Sequence, residues 1–236
     1  MHLRRTFVVV AAAMAAVAIV AVARVALAQT AAAPSLTMET SKMPSDIDPQ
    51  SGFRLPLPKR EDLDEAGKRA YDQAATPGKS IVGLRGPAGI ALYSPRTAEA
   101  RSAFNQYLRF EVFDPKVREV AILTVAREMD SQFEWAAHEP EARKVGVAQQ
   151  VIDIIKHRAS TQGLDETNAA IIELGRQTFG DHKVTPQAFA RVKKLFEPNK
   201  LVELVLLMGN YAATAALLTA FDMQLPEGQK PLLPMP

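Results

Sequence analysis

The sequence contains no cysteine and few aromatic residues. Its 236 residues include 0 Cys, 1 Trp and only 6% aromatic residues in all. Without a thiol, the chain cannot form a disulfide, a cysteine-ligated zinc or iron–sulfur site, or a thiolate nucleophile. The scarcity of aromatic rings argues against the stacking platforms that bind single-stranded nucleic acids.

A strong charge of one sign is also missing. The formal net charge is +2, and residues 1–28 contain Arg4, Arg5 and Arg24 but no acidic residue. Removal of this segment leaves 208 residues and lowers the net charge by three, from +2 to −1. A nearly neutral protein is poorly suited to binding a phosphate backbone, so we expect no nucleic-acid partner. The hydrophobic fraction of 47% is ample for a globular core.

Residues 1–28 have the pattern of a signal peptide. Arg4 and Arg5 form a cationic start, an unbroken apolar run follows from Phe7 to Ala23, and the segment ends in an A-x-A cleavage pattern at Ala28. The paired arginines also resemble a twin-arginine export signal. A retained membrane anchor is the alternative, because the apolar run is near the lower length limit for a span. We predict export to the periplasm or the medium, with membrane contact only through an uncleaved signal segment.

The rest of the chain divides into a proline-rich extended arm (29–60), a helical domain (61–225) and a short C-terminal tail (226–236). Proline removes backbone donors and disfavours helix before it, which predicts an extended tether or wrapping arm. No segment shows the alternating pattern of a strand with hairpin signals, so we predict an all-α fold. A glycine- and proline-rich loop is expected over 79–96. Helices are predicted over 61–75, 97–109, 115–128, 132–145, 148–159, 165–179, 185–196 and 199–222.

The last predicted helix is apolar almost all round from Leu201 to Phe221. A membrane helix is one interpretation, but Glu203 and Asn210 interrupt the apolar run. A central helix that is buried, or covered by a neighbouring subunit, is the preferred interpretation. We therefore expect a homo-oligomer.

Three titratable residues are brought together by the predicted hairpin of two helices. Glu134 and His138 are four residues apart and share a helix face. Glu119 lies about as far before the intervening turn as His138 lies after it, so the two meet if the helices are antiparallel. A carboxylate that orients a histidine, beside a second carboxylate that is held protonated, suits proton transfer. The alternatives are a solvated Glu–His pair and a metal site, but no third ligand with recognisable spacing follows and we predict no metal.

Several other polar residues are weaker candidates. Arg85 lies in the glycine-rich loop, where it is either a ligand for a substrate carboxylate or an ordinary surface arginine. Asn210 and Tyr211 interrupt the apolar last helix, where they either line a cavity or form a satisfied buried network.

The stretch from Arg118 to Val147 resembles the carboxymuconolactone decarboxylase and alkylhydroperoxidase-D-like family, and the likeness extends over about 60–225. The resemblance implies a compact multi-helix fold. In the redox branch, a Glu is followed by a Cys-x-x-Cys pair and then a His. Glu119 and His138 match the Glu and His of this proton relay, whereas Ser131 and Glu134 occupy the cysteine positions. Because these two residues cannot cycle between dithiol and disulfide, peroxidase chemistry is not expected.

The decarboxylase branch lacks the cysteine pair and is more similar. Its members remove a carboxylate from an unsaturated lactone without a cofactor, so none is expected here. Electrons left by the departing carbon dioxide flow into the conjugated carbonyl, and the enzyme supplies desolvation and a proton. The resemblance implies that His138 is the proton donor, oriented by Glu119, and that Glu134 tunes the site or acts as a second acid. Trp135, Ser131 and Arg85 would contact the substrate.

The predicted function is therefore an exported decarboxylase or acid/base enzyme for a small carboxylated, lactone-like molecule. The substrate stays open, because the related decarboxylase works inside cells. A non-catalytic ligand-binding or interaction module on the same fold is the alternative. A hydroperoxide reductase is a third hypothesis, and the missing thiols argue against it.

Overall fold

A computed structural model describes residues 43–234. The predicted signal peptide and the first part of the proline-rich arm lie outside the described residues. Within them the chain is all-α, with a short 3-10 helix at Arg60–Asp62 and no strand. The helices are α1 (Glu65–Ala75), α2 (Pro87–Ala91), α3 (Pro95–Tyr107), α4 (Pro115–Glu128), α5 (Gln132–Lys144), α6 (Gln149–Lys156), α7 (Glu166–Gly175), α8 (Pro186–Leu195) and α9 (Pro198–Ala220).

Side-chain caps and prolines set the starts of these helices. Asp64, Asp114, Asp165 and Thr185 each accept a hydrogen bond from a backbone N–H in the first turn of the helix that follows. Helices α2, α3, α4, α8 and α9 all carry proline in their first turn, where its missing N–H costs nothing. These signals explain why most helix starts were readable from the sequence.

Helix α2 interrupts the segment that the sequence predicts as a loop. Gly86 precedes Pro87, which supplies a proline at the first helical position, and the helix buries Ile90. Its 5 residues are too few for a periodic apolar pattern, so only the Gly-Pro start signals it.

Two helices end in wider π-helical turns, at Leu108–Val112 after α3 and at Arg176–Gly180 after α7. Such turns are rare and occur often at functional sites. The first of them carries Arg109, which reaches the cavity described below.

Helix α4 is the centre of the domain. Every residue from Arg118 to Arg127 is buried, and α4 contacts α5, α6, α7 and α9. Gly175 allows α7 to approach closely, because a Cβ at that position would lie 2.5 Å from Cγ2 of Thr124. Polar residues on α4 are therefore enclosed by protein on all sides. Their hydrogen-bond partners must come from the protein itself, because little water reaches them.

Helix α9 has the length and composition of a membrane span, but half of its most apolar window is buried inside the domain. Its inward residues, among them Leu204, Leu207 and Met208, belong to the main core. Val202, Val205 and Leu206 are exposed on its other side. The inward half of α9 is thus a core element of the described domain.

The described part of the arm lies against the end of α9. The Arg54 guanidinium donates to the carbonyl of Ala220 at 3.0 Å, and Phe53 is fully buried. Phe53 packs in a second apolar cluster with Phe133 and Leu218. Near the C-terminus, Gln132 holds the backbone of Leu233.

Candidate active site

The antiparallel pair α4 and α5 places Glu119 against His138. Oε2 of Glu119 lies 2.8 Å from Nδ1 of His138, and Glu119 is fully buried. Burial lowers the pKa of His138 below its usual value, and the attraction of Glu119 offsets this only in part. The imidazole is therefore neutral near pH 7. With its Nδ1–H donated to Glu119, its Nε2 carries the lone pair of a general base.

Glu119 is an ionised carboxylate with both oxygens occupied. Burial raises the pKa of Glu119, but the hydrogen bonds from His138 and Arg118, together with the charge of Arg118, bring it below the ordinary value. Nε of Arg118 donates to Oε1 of Glu119 at 2.9 Å. The same guanidinium donates to the carbonyl of Arg109 at 2.8 Å. Arg118 thus supplies the counter-charge and ties the relay to the π-helical turn after α3.

Glu134 lies one turn before His138 on α5 and has a different environment. Its side chain is buried, with 3% of the residue exposed, and neither carboxylate oxygen has a hydrogen-bond partner among the described residues. Burial raises the pKa of Glu134 well above its ordinary value, opposed in part by the charge of Arg101. Glu134 thus holds its proton more tightly than an ordinary glutamate, one helix turn from a histidine whose pKa is lowered.

Glu134 and His138 face a cavity of about 640 Å³, within the range of small-molecule sites. Tyr211 also lines it, with its ring edge-to-face on the imidazole at 5.1 Å between centroids. Burial raises the pKa of Tyr211, so the phenol stays protonated. Glu119 does not line the cavity and lies behind His138. The sequence predicts all three titratable residues on one surface. In the structure, Glu134 and His138 line the cavity, and Glu119 contacts His138 from behind.

Two arginines that sequence reasoning missed give the cavity a positive wall. Arg101 on α3 donates to Oδ1 of Asn210 at 3.2 Å and to the Asn210 carbonyl at 3.1 Å, and it also contacts Thr214. Arg109 lines the same cavity, and its Nε is buried without a partner among the described residues. Arg101, Asn105 and Arg109 recur at every fourth residue from α3 into the π-helical turn that follows it, and this spacing was the available signal.

Asn210 fulfils both interpretations that the sequence left open, whereas Tyr211 fulfils the first, as a residue that lines the cavity. Both line the cavity, and Asn210 also donates from Nδ2 to Oδ1 of Asn105 at 2.9 Å while it receives Arg101. The network fixes the Arg101 guanidinium at the cavity wall.

The three residues expected to contact substrate do not line the cavity. Trp135 is fully buried on the core side of α5, where its Nε1 donates to Glu139 at 2.9 Å. Ser131 is buried just before α5 begins. Arg85 is exposed, and its guanidinium lies against Gly52. One helix turn spans 3.6 residues, so Trp135 is rotated away from the face that holds Glu134 and His138.

Residues 95–174 match the model of the carboxymuconolactone decarboxylase family. The matched stretch runs from the start of α3 almost to the end of α7 and includes Arg101, Glu119, Glu134 and His138. It is narrower than the span of 60–225 over which the sequence resembles the family. No curated protein matches the chain. Within residues 43–234, no group of three histidine, aspartate or glutamate side chains is placed to hold a metal ion.

Proposed function

We propose that the chain, whose residues 95–174 match the carboxymuconolactone decarboxylase family model and which contains 0 Cys, is an acid/base enzyme for a small carboxylate, with decarboxylation as its reaction. The observation that carries the proposal is the pairing of Glu134 and His138 on one cavity wall. Burial raises the pKa of the first and lowers the pKa of the second, which separates an acid from a base one helix turn apart.

Arg101 and Arg109 support a carboxylate as the ligand. Nε of Arg109 has no partner within the described part of the chain, and Arg101 donates to neutral groups, although Glu134 lies near enough for the two charges to attract. Arg118, by contrast, is paired with Glu119. The cavity wall therefore has positive charge that an anion would neutralise, and a planar guanidinium binds a carboxylate well.

The proposed step is the loss of carbon dioxide from an acid whose carboxyl-bearing carbon is saturated and lies α to a carbonyl, or γ to it across a carbon–carbon double bond. The bond between that carbon and the carboxylate breaks, and its electron pair moves into the carbonyl to give an enolate. Glu134 then donates its proton to carbon and becomes a carboxylate, which regains a proton from solvent. The shifts in pKa favour Glu134 as the donor, in place of the His138 donor that the resemblance implies.

His138 would act as the base that returns the proton or holds a water molecule, oriented by Glu119 through Nδ1. Thiol-dependent peroxide reduction receives no support, because the chain contains 0 Cys. The same cavity could serve binding alone, and turnover measurements separate the two functions.

We further propose that the protein is exported and forms a homo-oligomer. The exposed apolar face of α9, with Val202, Val205 and Leu206, supports the second point. N-terminal sequencing of protein recovered outside the cytoplasm would test export and cleavage after Ala28. Light scattering coupled to size-exclusion chromatography would test the oligomeric state.

The central experiment measures carbon dioxide release by the purified chain from a panel of small unsaturated carboxylates that carry a conjugated carbonyl. Glu134→Gln should lower turnover by about 10²–10⁴-fold, because the proton donor is lost. Glu141→Gln on the same helix, where Glu141 contacts only Lys144 outside the cavity, is the matched control and should leave turnover unchanged.

Unchanged turnover in Glu134→Gln would contradict the proposed donor. If the wild-type chain binds members of the panel but releases no carbon dioxide from any of them, the protein is a binding module and the enzyme proposal is wrong.

A further inference from the structure

The cavity changes in polarity along the axis of α9. Asn210 and Tyr211 lie at one end, Thr214 follows one turn later, and Leu218 follows one turn after that. At a rise of 1.5 Å per residue, the step from Asn210 to Leu218 spans about 12 Å. The α9 wall is therefore polar at one end and apolar at the other.

Helix α5 repeats this gradient in the same direction. His138 packs against Tyr211 at the polar end. Phe133, at the other end of the α5 wall, packs with Leu218 in the second apolar cluster. Glu134 follows Phe133 directly, so the acid lies between the apolar end and the histidine.

Helix α3 shows the same change in polarity along the cavity. Asn105 contacts Asn210, and Arg101 contacts Thr214, so α3 runs antiparallel to α9. One turn before Arg101 the cavity wall continues with Ala98. All three helices thus place their buried and half-buried charged or hydrogen-bonding groups toward one end and apolar groups toward the other, and Glu99 beside Ala98 is exposed.

Small and apolar side chains enclose the second end. Val82 packs in the cluster of Phe133 and Leu218, and Ala88 and Ala91 of α2 line the cavity there. Two further polar lining residues, Ser80 and Ser102, are half-buried, and the others are exposed at the rim, where Arg69 forms a solvent-exposed ion pair with Glu99. Other exposed polar residues at the rim are Gln73, Lys79 and Gln106.

The volume exceeds what one charged headgroup requires. At about 30 Å³ per water molecule, 640 Å³ corresponds to about twenty water volumes. A carboxylate held by Arg101 or Arg109 would leave the apolar end empty unless the ligand also carried a hydrocarbon body.

We propose that the cavity binds amphipathic monocarboxylates, with the carboxylate at the arginine wall and an alkyl or aryl body against Phe133, Leu218 and Val82. The inference rests on the proposed function for the position of the carboxylate beside Glu134. A second carboxylate at the far end of the ligand would be buried among apolar side chains without a partner and would weaken binding.

The test is calorimetric titration of the full-length chain with straight-chain alkanoates from butanoate to decanoate, and with dicarboxylates of matched length. The association constant should rise about fourfold for each methylene until the apolar end is filled. Each longer dicarboxylate should bind at least about tenfold more weakly than the matching monocarboxylate. Affinity that does not depend on chain length, tighter binding of the dicarboxylates, or no binding of any alkanoate would overturn the inference.

A variant locates the hydrocarbon body. Ala91→Phe fills the apolar end, and we expect it to weaken decanoate binding at least about tenfold while butanoate binding stays unchanged. Ala100→Phe places the same side chain on an exposed position of α3 outside the cavity and is the control. Equal effects of Ala91→Phe on both ligands would contradict the placement. If Ala91→Phe fails to fold, the chain-length series measured on the wild-type chain still tests whether the cavity binds a hydrocarbon body.

These binding measurements do not depend on turnover. Loss of the chain-length trend would leave the Glu134→Gln turnover experiment intact, and an inactive wild-type chain would leave the trend measurable.

Discussion

Two glutamates that lie near the same histidine have opposite environments. Glu119 is fully buried, and its oxygens contact Arg118 and His138 at 2.9 and 2.8 Å. Glu134 is almost as buried, yet neither of its oxygens has a partner within residues 43–234. Their pKa values shift in opposite directions, below the ordinary value for Glu119 and well above it for Glu134, although their exposure to solvent is nearly the same.

The difference shows that partners, more than depth, decide the role of a buried acid. A satisfied carboxylate fixes the geometry of its neighbours and contributes to stability. An unsatisfied one costs free energy in the folded state, and such groups concentrate at functional sites. Glu119 therefore positions the base, and Glu134 is available for a ligand.

The largest expected effect comes from Glu119→Ala. The substitution leaves the buried Arg118 guanidinium without its anion, which should lower the free energy of unfolding by about 3–5 kcal/mol. Chemical denaturation followed by circular dichroism measures this loss. Glu65→Ala, which removes an exposed ion pair with Lys68, should cost less than about 1 kcal/mol. If Glu119→Ala lowers the free energy of unfolding by no more than Glu65→Ala does, the buried contacts of Glu119 do not stabilise the fold.

The next effect has the opposite sign. Glu134→Met replaces an unpartnered buried carboxyl by an apolar side chain of similar length, which should raise the free energy of unfolding by about 1–3 kcal/mol while turnover is lost. Denaturation at several pH values provides the measurement.

The gain from Glu134→Met should depend on pH. Below the ordinary glutamate pKa of 4.5, both the folded and the unfolded wild-type chain hold the proton on Glu134. As the pH rises above 4.5, the unfolded state ionises first and the wild-type chain loses stability until the raised folded pKa is passed. The gain should therefore grow through this window and level off above it. A gain that shrinks as the pH rises would show that Glu134 is ionised in the folded state.

The smallest effect is expected for Arg85→Ala. Arg85 is exposed and does not line the cavity, so the free energy of unfolding should change by no more than about 0.5 kcal/mol. Binding of carboxylates, measured by calorimetry, should be unaffected. A large loss of affinity for carboxylates would show that Arg85 binds the substrate carboxylate, as the sequence predicts.

The all-α class and most helix boundaries were predictable because the signals are local. Asp114 before Pro115 and Thr185 before Pro186 mark helix starts within two residues. Helix α2 was missed, since five residues carry no periodicity. The π-helical turns were missed too, because a wider turn leaves no mark in residue type.

The site was only partly predictable for a different reason. The Glu119–His138 contact follows from spacing across one turn between antiparallel helices. Arg101 and Arg109 reach the cavity because α3 packs against α9, about a hundred residues later in the sequence, and no local pattern encodes that packing. The resemblance places Trp135 at the substrate, although a helix turns the neighbours Glu134 and Trp135 to different faces.

The contact between the arm and α9 has a consequence for the order of folding. Arg54 and Ala220 are 166 residues apart, so their hydrogen bond closes a loop that contains almost the whole helical domain. Contacts of such long range bring a large closure entropy and form late, after the local helix pairs. Phe53 beside Arg54 completes the cluster of Phe133 and Leu218. During synthesis, the apolar end of the cavity therefore stays open until α9 has left the ribosome, and a nascent chain without α9 has no place for a hydrocarbon ligand.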